Sequence, residues 1–590
     1  MLRYLPFFVV LTFLTACSSG GAQDNLAGPD LPASTRTVSE TIQLNQVGIY
    51  PGSTLRFSVV VDDAAPPTST APAAPPSYYL VSTDNEQTVA SGELGALNDW
   101  SDLAGTRVHY TETPAPPTGT YRIYVPDHGY SAAFIVADNV YREVLVASVR
   151  SNFLQRMGMD LEEKHAGVYA RKGGHPDTDV LYHPSSGRRG KTSSPGGWYD
   201  AGDYNKYVVN GAFPLGQYLT LYEEAPGVLG DGDLNLPESG NGVSDYLDEL
   251  RYELDWLLTM QDTDGGVFHK VTALAFEGIV MPTEATSQRY MVGKSAEATL
   301  DFAAALAQAA RVYEPVDAAY AGRLLTAAER AWTWGVANPN VHFKNPKDVS
   351  TGEYGDVDAS QEKAWAAVEL FVTTGESAYL NTYRKMRSEK ALETGEGWRG
   401  YMAKLAMFSL LRHESRVPED VYQTAKTTVI SLADSLVALA GGTAYRQPIT
   451  RWVWGSNSDV LNAAMLVAAA QRVAPKPAYR DFVQACVDYT LGHNPLGYSF
   501  VTGFGTRSPM HIHHRPSMAD DVESPFPGFL SGGPNVARQD SAWATYPVGA
   551  APMQMWVDQD GSYASNEICL NWNAPLTYVI GFLEANQAAR

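Results

Sequence analysis

From residue 38 to 138 the chain alternates apolar and polar positions in short runs. TIQLNQVGIY, TLRFSVVVD, SYYLVST, TRVHYTE, GTYRIYVP and AAFIVAD are rich in β-branched and aromatic residues and are spaced by turn formers. That pattern predicts a small β-sandwich. The stretch AAPPTSTAPAAPPS reads as a Pro/Ala-rich surface loop within it. After about residue 140 the period lengthens to that of a helix. In VSDYLDELRYELDWLLTMQ, Leu247, Leu250, Leu254 and Leu257 share one face. Ala-rich amphipathic segments follow at 295–313, 317–337, 360–375, 401–414, 421–440, 457–474, 478–492 and 574–589, so at least nine helices are expected. They do not repeat in sequence, which argues against a short-period solenoid. A toroid of helical hairpins fits, with a helical solenoid or a plain bundle as the alternative. The segments 165–245, 261–292, 338–358 and 493–567 read as non-helical and are rich in Trp, Tyr, Gly, His and Asp. Loops of that length in a compact domain usually carry function.

Composition narrows the function. The chain has 590 residues, 44% of them hydrophobic, and a net charge of −22. No Lys/Arg cluster offsets that charge, which excludes nucleic acid as a partner. The 33 Tyr and 12 Trp suit a sugar-binding cleft, and equally a large core. The opening MLRYLPFFVVLTFLTACSSGG reads as a signal peptide, and LTAC resembles a bacterial lipobox. Residues 1–17 are then the leader, Cys17 is the lipidation site, and 18–37 form a flexible tether. The expected place is an exported, membrane-anchored lipoprotein, touching the membrane only through that anchor. Cys486 and Cys569 are the other cysteines, too few for a disulfide framework or a Cys-rich metal site.

Three loop constellations carry chemistry: GGWYDAGDYNKY with Asp200 and Asp203, YSFVTGFGTRSPMHIHHRPS with His511, His513, His514 and Arg515, and WVDQDGSYASNEICLNWNAPL with Asp558, Asp560 and Glu567. Alone, the first also reads as an Asx-turn. Carboxylates on separate segments are the minimum for glycoside hydrolysis, one protonating the leaving oxygen and the other activating water. In an inverting enzyme they stand roughly 6.5–9.5 Å apart. In order and spacing, the three motifs resemble glycoside hydrolase family 9, the inverting cellulase-type family, over nearly all of the mature chain. QLNQVGIYPG resembles the immunoglobulin-like module of one branch. The resemblance implies a mostly α fold, an (α/α)6 barrel over 142–590 preceded by an immunoglobulin-like sandwich over 38–138. It implies Asp203 as general base, Asp200 as holder of the attacking water, Glu567 as general acid, His513 and Arg515 as partners of sugar hydroxyls, and Asp558 as support for the acid loop. His511 and His514 stand equally for structural roles. The aromatics of the first motif, Tyr204 among them, are expected to form a wall for the sugar. Trp398, Trp452 and Trp454 are candidate stacking platforms. Cys569 departs from the Ser, Thr or Ala of the family, a change expected to touch packing and not chemistry.

Relatives of this branch often bind zinc through two Cys and two His ahead of the first motif. Here that region keeps His165, His175 and His183 but has Met157 where a Cys is expected, so no zinc is predicted. Asp356, Asp358 and Glu362 offer oxygen ligands suited to calcium, or simply an acidic loop leading into a helix. No organic cofactor is implied. The substrate reading is a β-1,4-glucan oligosaccharide or chain. One alternative is an exo-β-glucosaminidase, which needs an acidic group near the amine (Glu277, Glu284 or Asp356). A non-catalytic, lipid-anchored sugar-binding protein is the alternative of another class.

Overall fold

The computed structural model describes residues 37–61, 75–389 and 397–587, without the side chains of Glu389, Trp398 and Arg399. The leader, Cys17, most of the tether and most of the Pro/Ala-rich loop lie outside the described residues, as does the side chain of Trp398.

Strands β1 (Ile42–Leu44), β3 (Thr54–Val61) and β6 (Arg107–Pro114) form one antiparallel sheet. The facing sheet runs β2 (Gly48–Ile49), β9 (Phe134–Val136), β7 (Gly119–Val125), β4 (Ser77–Ser82), β5 (Thr88–Glu93), with β8 (Gly129–Tyr130) paired to β7. Leu55, Phe57 and Val59 of β3 point into the core between the sheets, with Leu80, Ile123 and Phe134 opposite. Period-2 alternation then puts Arg56 and Ser58 on the other face. That face is covered as well, by the helical domain: Arg56 Nη1 pairs with Asp488 Oδ2 at 3.2 Å, and Ser58 Oγ bonds His493 Nε2 at 2.9 Å. The hydrophobic pattern misses β5, an edge strand of sequence TVASGE that buries none of its residues.

Among the described residues twelve long helices follow: α1 (Arg142–Leu154), α2 (Val208–Glu224), α3 (Asp245–Thr259), α4 (Ala296–Tyr313), α5 (Ala318–Ala337), α6 (Ser360–Thr374), α7 (Ser377–Glu389), α8 (Trp398–Arg412), α9 (Glu419–Gly441), α10 (Ser456–Val473), α11 (Pro477–Thr490) and α12 (Leu570–Ala585). Even-numbered helices touch in sequence and α12 returns to α2, closing an inner ring; odd-numbered ones pack outside it. This is an (α/α)6 barrel behind an immunoglobulin-like sandwich. Because inner and outer helices alternate, every outer-to-inner connection falls at one end. The long segments read as functional loops are those connections, apart from 208–245, and the inner-helix N-termini point at them.

One expected loop is corrected. The interval 165–245 contains inner helix α2. Pro214, Gly211 and Gly216 lower its helix propensity, and burial on all sides removes its amphipathic period. Gly216 is required by proximity: a Cβ there would lie 2.4 Å from the Trp365 ring of α6. Helices α1 and α7 also lie beyond the nine read from periodicity. At the opposite end, an ionic network crosses the barrel floor. Arg311 of α4 pairs with Glu223 of α2 (2.7 Å) and Glu369 of α6 (2.8 Å). Arg412 of α8 meets Glu223 at 3.0 Å, and Glu224 takes Arg472 of α10 at 3.6 Å and the Tyr578 hydroxyl of α12 at 2.7 Å.

Asp488 of α11 is fully buried and also accepts from Asn45 and Gln484, each at 2.9 Å. Asp488→Ala would take from Arg56 its one fully buried carboxylate partner at the sandwich–barrel seam, leaving the more exposed Asp481 and Glu112. It should lower stability by about 3–5 kcal/mol in denaturant unfolding; a loss below about 1 kcal/mol would show that the seam does not depend on this pair.

Candidate active site

The turn 196–207 is fixed from behind. Trp198 donates through Nε1 to Glu249 (2.8 Å) and through its backbone N to Glu253 (2.7 Å), both on α3. Tyr199 N reaches Gln155 O at 2.9 Å, and Asp200 N reaches Asn205 O at 3.1 Å. The expected sugar-facing wall is corrected here. Trp198, Tyr199 and Tyr204 are buried, and Tyr204 donates its hydroxyl to Val280 O at 2.6 Å, so its ring presents no face to a ligand. These aromatics are the packing that aims the turn. Only Tyr207, of the short strand β10 (Lys206–Tyr207), reaches the cavity.

Asp200 and Asp203 project into that cavity just ahead of the N-terminus of α2. Asp200 is saturated: Asn210 Nδ2 donates to Oδ1 at 2.5 Å and the Tyr354 hydroxyl to Oδ2 at 2.7 Å. Burial, then repulsion from Asp203, pushes its carboxyl up to about 8, against Asn210, Tyr354 and Lys270. Asp203 accepts on Oδ2 from Asn205 Nδ2 (2.6 Å) and Tyr207 (3.2 Å), while its Oδ1 has no protein partner. Glu567, just ahead of α12, is pushed well above the usual carboxylate range by burial, then by Asp203 and Asp200. Arg515 and the Gly202 backbone oppose the shift. That direction favours the protonated form of Glu567.

The histidine and acid loops meet the turn through their backbones. His513 N donates to Asn566 O (3.0 Å), Arg515 N to Gly202 O (3.1 Å) and Leu570 N to Asp200 O (3.0 Å). His513 Nδ1 contacts Asp560 O at 2.7 Å. A carbonyl only accepts, so Nδ1 carries the proton. Burial lowers the imidazole's pKa and keeps it neutral, which leaves Nε2 an acceptor at the cavity wall. Arg515 lines the cavity while holding Gly202 O and Glu277 O. Asp558 lies outside the cavity lining. It accepts from Met510 N, His511 N and Asn566 Nδ2 at 2.8–3.0 Å and so staples the two loops together. His511 is exposed, and His514 is buried against Ser517 and Gln155.

The cavity holds about 940 Å³, within the usual size of ligand sites. Trp454, Trp543 and Phe276 are its exposed aromatics, at 41%, 75% and 49%. Trp452, by contrast, is buried. Sequence reasoning missed Trp543, Phe276 and Tyr354. A Trp isolated in a Gly/Pro-bearing loop is a usable signal for the first; the other two have none. Tyr354 has a left-handed backbone, φ 49°, a conformation kept where surroundings impose it. Cys569 accepts from Asn210 Nδ2 at 3.1 Å, burial keeps its thiol neutral, and it lines the cavity beside Asp200.

The three acids read as calcium ligands lie at the entry to α6, and Asp356 and Glu362 both act on Asp301. Asp356 Oδ1 accepts from the backbone N of Val357 and Asp358, and Asp358 Oδ1 from Ser360 at the start of α6. Glu362 is buried, close enough to Asp301 to raise its pKa. Among the described residues, no three or more His, Cys, Asp or Glu are arranged to hold a metal ion. Of the three histidines ahead of the turn, only His175 reaches the Met157–Tyr199–Tyr204 cluster. Burial, Arg289, Lys206 and Arg171 push it down to about 3. A thiolate-free set among three cations does not suit Zn²⁺. Glu277, Glu284 and Asp356, the acids a glucosaminidase reading requires, also lie outside the cavity lining.

A family model described as Glycosyl hydrolase family 9 matches residues 141–580. The chain is similar to the xyloglucan-specific endo-beta-1,4-glucanase of Bacteroides ovatus, at 35% identity over 613 residues, 99% of this chain and 98% of that protein. It is similar to endoglucanase D of Acetivibrio thermocellus, at 33% identity over 555 residues, 93% and 81% of the two chains. A metagenome-derived glycoside hydrolase family 9 endoglucanase superposes with a TM-score of 0.85 at 32% identity, over 92% of this chain and 99% of that one.

Gly202 is where turn and histidine loop touch: a Cβ there would sit 2.2 Å from His513 O. Gly202→Ala should therefore destabilise the fold by about 1–3 kcal/mol in denaturant unfolding; wild-type stability would show that the two loops part without cost.

Proposed function

The chain belongs to glycosyl hydrolase family 9, and from that membership we propose that it hydrolyses the β-1,4 bonds of glucan chains or oligosaccharides with inversion at the anomeric carbon. Glu567 gives its proton to the glycosidic oxygen as the C1–O bond breaks. A water attacks C1 from the opposite face, and Asp203 takes its proton. Asp200, locked by Asn210 and Tyr354, steadies that water. His513 Nε2 accepts from a sugar hydroxyl, Arg515 flanks the scissile bond, and Trp454, Trp543 and Phe276 stack on sugar C–H faces. The observation that supports this reading most directly is the division of labour among the carboxyl groups: Asp203 Oδ1 lacks a protein partner, while burial favours the protonated form of Glu567.

The test is a product time course on tetramers of glucose and of glucosamine, with the new anomer read by NMR. The reading expects cleavage of the glucose tetramer with an α-anomer formed first. Cleavage of the glucosamine tetramer alone, or a β-anomer formed first, overturns it. Branched and unbranched glucans compared at equal concentration define the preferred backbone. We also propose, from the leader sequence, that Cys17 is lipidated; Cys17→Ala should move the protein from the membrane fraction to the soluble one.

Glu567→Gln should reduce kcat by about 10²–10⁴-fold and leave oligosaccharide binding within a few-fold. It also has a stability signature. The folded-state value of Glu567 lies above its ordinary 4.5, so the folded chain keeps a proton that the unfolded chain releases as pH rises. Wild-type stability is therefore eroded above about pH 4.5. The variant should melt higher than wild type there and lose that advantage below it.

A further inference from the structure

Lys270 lies in β11 (Phe268–Thr272), directly opposite Tyr207 in the ladder. Its side chain is fully buried. The ammonium donates to Asn345 Oδ1 (2.8 Å), Thr351 Oγ1 (3.1 Å) and Gly352 O (2.6 Å), all on the 338–359 connection. Those contacts satisfy its three protons, yet every acceptor is neutral. Among the described residues it makes no ion pair. A neutral donor could clamp this connection at less desolvation cost, so a buried cation here calls for a use of its charge.

Both aspartates lie at the end of what it holds. The clamped segment carries Tyr354, which donates to Asp200. The ammonium sits 5.4 Å from the centre of the Tyr207 ring, whose hydroxyl donates to Asp203. A polar chain also runs from Thr351 through Thr272 to Asn205, which donates to Asp203.

We propose that Lys270 is a positioning residue for the water-activating aspartate pair, fixing the segment that orients Asp200 and lending the charge that favours ionisation of the pair. The proposal rests on the reading of Asp203 as base. Around the pair stand Glu253 of α3, Glu353 and Tyr354 of the clamped connection, Tyr207 of β10, His513 and Arg515 of the histidine loop, and Glu567 and Cys569 before α12. Arg515 is the cation that acts on Glu567, whereas Lys270 acts on Asp200. The two cations thus face different partners. Burial pulls Lys270 down to about 7, with Asp203, Glu353 and Asp200 holding it up. It is therefore cationic across the acidic range in which a base must ionise.

The experiment is the pH profile of kcat/KM on a soluble β-1,4-glucan oligosaccharide for wild type, Lys270→Gln, Lys270→Met and Lys270→Arg, each checked for folding by thermal melt. Gln keeps donors without charge, Met removes both, and Arg keeps charge. The acid limb should move up by about one pH unit in the Gln and Met variants and stay in the Arg variant. KM should change less than about twofold while kcat falls. An acid limb unmoved in whichever neutral variant folds overturns the proposal, as does an Arg variant that shifts like the neutral ones. Asp203→Asn separates the two levels. If it retains turnover, the base assignment fails and the Lys270 role with it; if it is inactive while the acid limb stays put, only the Lys270 role fails.

Discussion

Three carboxyl groups share one buried end of the barrel, and like charges in such a place cannot all ionise. Much of the surrounding structure answers that constraint. Asn210, Tyr354, Asn205 and Tyr207 donate to the aspartates, and the N-termini of six inner helices face the same end, adding favourable dipoles. Because Asp200 is saturated and Asp203 keeps one oxygen without a partner, the two neighbours are not interchangeable, although the sequence places them three residues apart in matching surroundings.

Parts of this arrangement are legible along the chain, and the exceptions have physical causes. Helix α3 announces itself because one face is wet, as Leu247, Leu250, Leu254 and Leu257 show, and inner helices such as α4 stand out through their runs of Ala, whereas outer helices α1 and α7 escape the pattern. Inner helix α2 is silent because Pro214 and Gly216 serve packing inside a fully buried environment, where no amphipathic period survives. Aspartates, acid and histidine loop stand out because the motifs are local. Tyr354 and Lys270 do not, since each meets its partners only after folding brings distant segments together. The aromatics of the first motif misled for a related reason: Trp198 and Tyr199 look like a ligand surface in one dimension and are a buried wedge in three.

The sandwich is a working wall of the barrel. The polar face of β3, which alternation alone would leave wet, is pressed against α11. Gln46 donates to Gly497 O at 2.7 Å and accepts from Arg507 N at 2.9 Å, so the sandwich also grips the stem of the loop that delivers His513. Mechanical order thus passes from the small domain into the loop that carries the cavity-lining imidazole.

The network across the barrel floor has a kinetic meaning beyond stability. With an acid or base from each of five inner helices and a tyrosine from the sixth tied together there, the barrel is a vessel with a single mouth. No glucan can thread through it. Incoming chain and departing fragments share one opening, so retained product stands in the path of the next substrate. Release, as much as bond cleavage, then becomes a quantity that the aromatic rim can tune.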